Sequence, residues 1–156
     1  MIVTPEIQAE LTKQRLRLYT SYNQLPRFFT ASSLGLTDKS DCTKRHIHHH
    51  SYPENSTHSV NGGIPERYGT IIYSTVSDAI TAIPSFGCQC QLVKRDFESA
   101  FRHIPVCLIN SPLLGLHWQN MYYKEQFLPV GLHMGPYLFN LFAEIFHWIV
   151  EDQLQG

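Results

Sequence analysis

The sequence predicts an α+β fold, and three observations carry that prediction. Helical periodicity appears near both ends of the chain, over residues 4–18 and 138–149. Two apolar runs, 113–118 and 121–128, flank Gln119-Asn120, which reads as a hairpin turn. A third, short helix is announced by a capping box at Thr75-Val76-Ser77-Asp78. Helices and strands mixed without regular alternation indicate α+β.

Each element has a local reason. Thr4 suits an N-cap, Pro5 suits the first helical position, and Ile7, Leu11, Leu16 and Leu18 form a loose apolar stripe through residue 18. Residues 31–63 are rich in Ser, Thr, Asn, Asp, His and Gly, so an irregular or hairpin segment with a short strand near Lys44–His48 is expected. The capped helix runs from Thr75 through Ile83 and stops at Pro84. Cys90 to Phe97 reads as a strand, with Leu92 and Val93 apolar and a carboxylate near its end. Leu138, Leu141, Phe142, Ile145, Trp148 and Ile149 mark one face of a closing helix.

Composition narrows the class. The chain has 156 residues, of which 43% are hydrophobic and 16% charged, which excludes a wholly disordered chain. The formal charge of -1 does not indicate a strongly basic nucleic-acid binder. The distribution is uneven: residues 1–50 hold seven Lys/Arg against four Asp/Glu, and residues 51–156 hold five against nine. Such a division suits a site where protein charge and a bound metal or phosphate share the work. Four cysteines do not make a disulfide scaffold. Pro5, Glu6 and Glu10 break any leader-like apolar run, and no apolar stretch is long enough for a membrane span. A soluble intracellular protein with reduced thiols is expected, without a membrane partner.

Three segments are candidates for chemistry. In Lys94-Arg95-Asp96-Phe97-Glu98-Ser99-Ala100-Phe101 a carboxylate leaves a strand and an aromatic follows five positions on. A strand-end Asp suits a hard cation such as Mg²⁺; the same pattern also fits a solvated or capping Asp. In Leu128-Pro129-Val130-Gly131-Leu132-His133-Met134-Gly135-Pro136 two Gly and two Pro frame a tight loop before a helix. Such a loop brings backbone N–H groups close to a ligand, and a helix N-terminus favours phosphate; a plain structural turn fits too. In Lys44-Arg45-His46-Ile47-His48-His49-His50 four histidines fall within five residues. On a strand His46, His48 and His50 share one face, which allows a weak transition-metal site, but no second ligand group such as C-x2-C accompanies them.

In this order, the segments resemble a reverse transcriptase, closest to the polymerase domain of eukaryotic retroelements, particularly fungal and tyrosine-recombinase-type retrotransposons. The resemblance spans residues 4–152. It is carried by His48-His49-His50-Ser51-Tyr52-Pro53, Ser59-Val60-Asn61-Gly62-Gly63-Ile64-Pro65, Asp78-Ala79-Ile80, Lys94 to Val106, Leu113 to Trp118, Tyr122-Tyr123 and Phe127 to Trp148. It implies one partial domain of the right-hand polymerase fold over residues 1–156. Residues 4–90 would be fingers and early palm, residues 91–152 palm with a fingers hairpin, and the thumb would be absent. It implies that Asp96 is a catalytic, Mg²⁺-binding aspartate and that Phe97 adds a backbone carbonyl to one ion. Phe101 would be the aromatic gate against a ribose 2′-OH. Val130, Gly131 and Pro136 would shape the nucleotide and template pocket. Arg45 and Lys39 would hold the triphosphate, a role that suits forked, charge-assisted hydrogen bonds. The implied partners are an RNA or DNA template, a primer, a dNTP and the remaining C-terminal parts of the polymerase.

The sequence departs from the family at one decisive place. The further catalytic aspartates belong to a Tyr-x-Asp-Asp turn beyond the closing helix, and no Asp-Asp pair occurs here. One carboxylate does not hold two Mg²⁺ ions. A chain inactive by itself is therefore expected, with a repurposed, non-catalytic nucleic-acid or protein interaction module as the alternative. The strand ending at Asp96 is also expected to keep an open edge, leaving Leu92, Val93, Leu138 and Phe142 poorly covered.

Overall fold

The computed structural model describes residues 3–38, 44–54, 56–94 and 96–154, with the backbone alone at 45, 46, 151 and 154. The fold is α+β: among the described residues, three α-helices and a five-stranded sheet. The elements are α1 (Val3–Thr12), β1 (Leu16–Tyr19), β2 (Ala31–Asp38), β3 (Lys44–His49), α2 (Val76–Ala82), β4 (Gly115–Trp118), β5 (Met121–Glu125) and α3 (Gly135–Leu154). The sheet order is β1-β5-β4-β2-β3. Only the short β2–β4 pairing is parallel; the named neighbours otherwise run antiparallel.

The hairpin β4–β5 forms as expected. Gln119 and Asn120 both take positive φ, 48° and 59°, the backbone that a two-residue type I′ turn requires. The expected hairpin around Lys44 is β2–β3, with Ser33 opposite His49 and Asp38 opposite Lys44. The capping box is present: the Thr75 hydroxyl accepts from the Asp78 N–H, and the Asp78 carboxylate accepts from the Thr75 N–H. That carboxylate's pKa is lowered by the bonds it accepts from Thr75, from the backbone N–H first and the hydroxyl second.

Two expectations need correction. The first helix does not reach residue 18. It ends at Thr12, Gln14 turns the chain with φ 56°, and Leu16 opens β1 opposite Glu125. Pairing with β5 outweighs the helical stripe, a tertiary override of local propensity. The second concerns the strand expected over Cys90–Phe97. The described residues of this segment belong to no strand. A strand persists only where a neighbour takes its N–H and C=O groups, and no described strand pairs with it. Leu92 and Val93 are 72% and 77% exposed.

Two small cores hold the fold. Val3 and Ile7 of α1 pack on Leu16, Leu116 and Tyr123 of the sheet, with Leu11, Leu34 and Trp118 around them. Their i, i+4 spacing explains why the first turns of α1 stay helical. The second core joins Leu114, Leu128 and Leu132, with Phe101, Ile104 and Leu138 packed against it. α3 buries little of itself: Ile145, Phe146 and Trp148 are 61%, 49% and 64% exposed.

Candidate functional site

The Gly-Pro loop is held against β3 by its backbone. Leu128, Pro129 and Leu132 are buried and anchor both sides of the loop. Val130 O accepts from the His48 N–H at 3.4 Å. Gly131 has φ 107°, and a Cβ there would stand 2.2 Å from His48 O. Glycine is therefore required twice, for its dihedral and for its close approach. Asn61 clasps the loop: its amide donates to Gly131 O at 2.9 Å and to Ser51 Oγ at 2.8 Å, and its carbonyl accepts from the His133 N–H at 2.8 Å. Pro136 then sits in the first turn of α3, where no N–H is needed.

The second wall comes from residues 96–103. Ser99 takes φ 54° and Ala100–His103 close into a 3-10 turn. Phe101 is half-buried and meets the Phe139 ring edge-on, 6.0 Å between centres. Phe97 meets the same ring at 5.6 Å and Phe146 at 5.7 Å. Phe97, Phe101 and the N-terminal turns of α3 thus form one surface, with Pro136 at its start. Asp96 is exposed, next to Phe97. Arg45 lies on β3 opposite Thr37, three positions before His48; its side chain is outside the described residues, as is Lys39 entirely. The structure therefore gathers Phe97 and Phe101 on Phe139 of α3, whose first turn holds Pro136, and seats Val130 and Gly131 on Arg45's strand; Lys39 lies outside the described residues.

Among the described residues the donor set does not complete a divalent-metal site. Among the described residues no three His, Cys, Asp or Glu side chains converge, and Asp96 supplies one carboxylate where a pair of Mg²⁺ needs several. The described histidines likewise join no such group. His48 on β3 and His50, one residue past its end, are both buried with rings 5.3 Å apart; the side chain of His46, expected on the same face, lies outside the described residues. His50 Nδ1 bonds Ser32 Oγ at 2.8 Å. Burial, helped by Arg102 and then His49, lowers the His50 pKa to about 4, so it is neutral in the folded state near pH 7.

Beneath the loop lies an ionic cluster that sequence reasoning missed. Glu125 is fully buried at the end of β5. Arg102 grips it with both terminal nitrogens, the Oε1 bond at 3.1 Å, and its Nε stands 3.3 Å from Glu10 of α1. Glu10 also pairs with Arg15 at 3.5 Å. His48 Nε2 lies 3.2 Å from Glu125 Oε1. Burial pushes the Glu125 pKa up to about 7 against the opposing pull of Arg102. This cluster joins α1, β3, β5 and the turn bearing Phe101, so it fixes the frame around the loop. A signal was available: Glu125 is the one acidic residue in the apolar hairpin segment 113–128.

No protein-family model matches the sequence, and no curated protein does. Solved structures do match. A foamy viral protease–reverse transcriptase in complex with double-stranded DNA superposes with TM-score 0.57 at 17% identity, over 90% of this chain and 22% of that one. Prototype foamy virus protease–reverse transcriptase superposes with TM-score 0.54 at 20% identity, over 88% of this chain and 16% of that one. The chain thus spans about a fifth of the length of the proteins it matches. At this identity the likeness is one of architecture: the chain carries a reverse transcriptase-like fold.

Proposed function

We propose that the chain is the fingers and partial palm of a retroelement reverse transcriptase, of the eukaryotic and fungal kind its motifs resemble. Its task is to seat a dNTP and the template base within an RNA-directed DNA polymerase. The reading is carried by one observation: the clasped Gly131 loop and the Phe97–Phe101 wall adjoin the start of α3 within a reverse transcriptase-like fold.

In this reading Val130, Gly131 and Pro136 shape the pocket floor, and Phe101 stands against the sugar. Arg45 and Lys39 hold the triphosphate by charge. Asp96 and the Phe97 carbonyl are a fraction of a Mg²⁺ site, whose ions would supply charge stabilisation to phosphoryl transfer. Since the described residues do not complete that site, no catalytic step is assigned to this chain alone. Template and primer, RNA or DNA, are the partners.

The test joins the chain to a segment carrying Tyr-x-Asp-Asp. Asp96→Ala should abolish primer extension there, and Phe101→Ala should admit ribonucleotides while DNA synthesis continues. Extension retained by Asp96→Ala would refute the assignment. A second reading, a non-catalytic interaction module, rests on the exposed apolar side chains of α3. It is favoured if the isolated chain is a monomer with a sharp, cooperative thermal transition.

A further inference from the structure

A second surface lies away from the loop, at the corner where β1, the connection into β2 and the tip of the β4–β5 hairpin meet. Aromatic rings run outward there in a chain. Tyr19 and Phe29 meet at 6.4 Å, Phe29 and Tyr122 at 6.0 Å, and Tyr122 and Tyr22 at 6.3 Å. His117 stacks on Tyr122 at 4.6 Å. The inner rings are packed, whereas Tyr22 is 75% and Phe28 72% exposed. Phe28 holds a left-handed backbone, φ 64°, which is strained for a bulky residue and is not repaid by burial.

The charged residues of the segments that form this corner have one sign. Residues 11–37 contain Lys13, Arg15, Arg17 and Arg27 and no acidic residue, and 113–124 contain no acidic residue either. Arg15 is committed to Glu10. Arg17 and Arg27 are exposed and stand over aromatic rings, Arg17 at 5.5 Å from Tyr19 and Arg27 at 4.6 Å from Phe28. Exposed rings, here Tyr22 and Phe28, with cations nearby are what stacked bases and their phosphates need. A duplex hides its base faces, so only unpaired strands use the rings.

We propose that this corner is a single-stranded nucleic-acid platform, with Tyr22 and Phe28 stacking unpaired bases and Arg17 and Arg27 meeting adjacent phosphates. The inference borrows only the partner class from the proposed function; it needs neither Asp96 nor the loop.

The test titrates the full chain into a labelled oligo-dT of about 15 nucleotides, followed by anisotropy. The wild type should bind it at least about tenfold more tightly than a duplex of equal length. Tyr22→Ala and Phe28→Ala should each weaken binding by about tenfold, the loss of one stacked base. Both side chains are largely solvent-exposed, so circular dichroism should show an unchanged fold. Tyr73→Ala, an exposed aromatic elsewhere, should bind as the wild type. Arg17→Gln with Arg27→Gln should flatten the log–log salt slope by about 1.4, roughly 0.7 for each phosphate. Equal binding by wild type and ring variants, or no binding by folded wild type, overturns the proposal. So does a change of oligomeric state in the ring variants without oligonucleotide, which would assign the corner to a second copy of the chain. Primer extension retained by Asp96→Ala, with these results intact, would overturn the proposed site assignment and leave the platform standing.

Discussion

Glu125 and Arg102 are the residues whose removal should be felt most. Arg102→Met leaves a buried carboxylate without its main partner, which should cost about 3–5 kcal/mol in urea unfolding. The Arg102→Met, Glu125→Gln double variant should recover part of that loss, because no buried charge then stands alone. Stability that falls further in the double variant would remove the pair from its supporting role. Gly131→Ala should destabilise by about 1–2 kcal/mol from its left-handed backbone alone, with the contact to His48 O adding to it. By contrast Asp96 is exposed, so Asp96→Ala should leave stability within about 0.5 kcal/mol.

The same residues predict a pH profile. The Glu125 pKa rises from 4.5 to about 7 on folding, so the native state binds the extra proton. That contribution is full below pH 4.5 and is lost as pH rises through 7. The His50 pKa falls from 6.5 to about 4, so the native state sheds its proton. That contribution is full above pH 6.5 and is lost as pH falls through 4. The two slopes oppose each other between about pH 4.5 and 6.5, where wild-type stability should be nearly flat. Glu125→Gln should make stability rise with pH across that window, and His50→Asn should make it fall. Urea midpoints from pH 4 to 8 check both signs; a variant profile as flat as the wild type would refute the linkage.

At the scale of elements, the β4–β5 hairpin makes the sharpest prediction. Its turn needs two left-handed residues, and Gln119 is a poor choice for one of them. Gln119→Asn with Asn120→Gly should raise the thermal midpoint by a few degrees, corresponding to about 0.5–1 kcal/mol. The hairpin was legible because its determinants are local: a two-residue turn between apolar runs. The capping box of α2 was legible for the same reason. The 90–97 strand and the tail of the first helix were misread because partners decide them. Leu16 and Leu18 fit a helical stripe as well as a strand until β5 is beside them. Leu92 and Val93 have strand character without a described neighbour to pair with.

For the whole molecule, the balance is between two small cores and a large exposed apolar surface. Leu92, Val93, Ile145 and Trp148 are all more than half exposed. Apolar area of this kind favours association or loose packing. The isolated chain should bind ANS strongly and unfold over a broad thermal range; a narrow transition in a monomer without ANS binding would contradict this. The candidate loop is anchored in the second core through Leu128 and Leu132, so its geometry should loosen together with the fold.

Sequence alone determined the α+β class, the hairpin, the capped helix and the reverse transcriptase-like motif order. Each depends on residues close in the chain, or on motif order along it. Tertiary structure alone decided the end of α1, the state of the described residues of 90–97, the glycine requirement at 131, the Asn61 clasp and the Arg102–Glu125 cluster. These depend on groups far apart in the chain, such as Asn61 and Gly131 or Arg102 and Glu125. Burial and pairing at such distances exist only once the chain has folded.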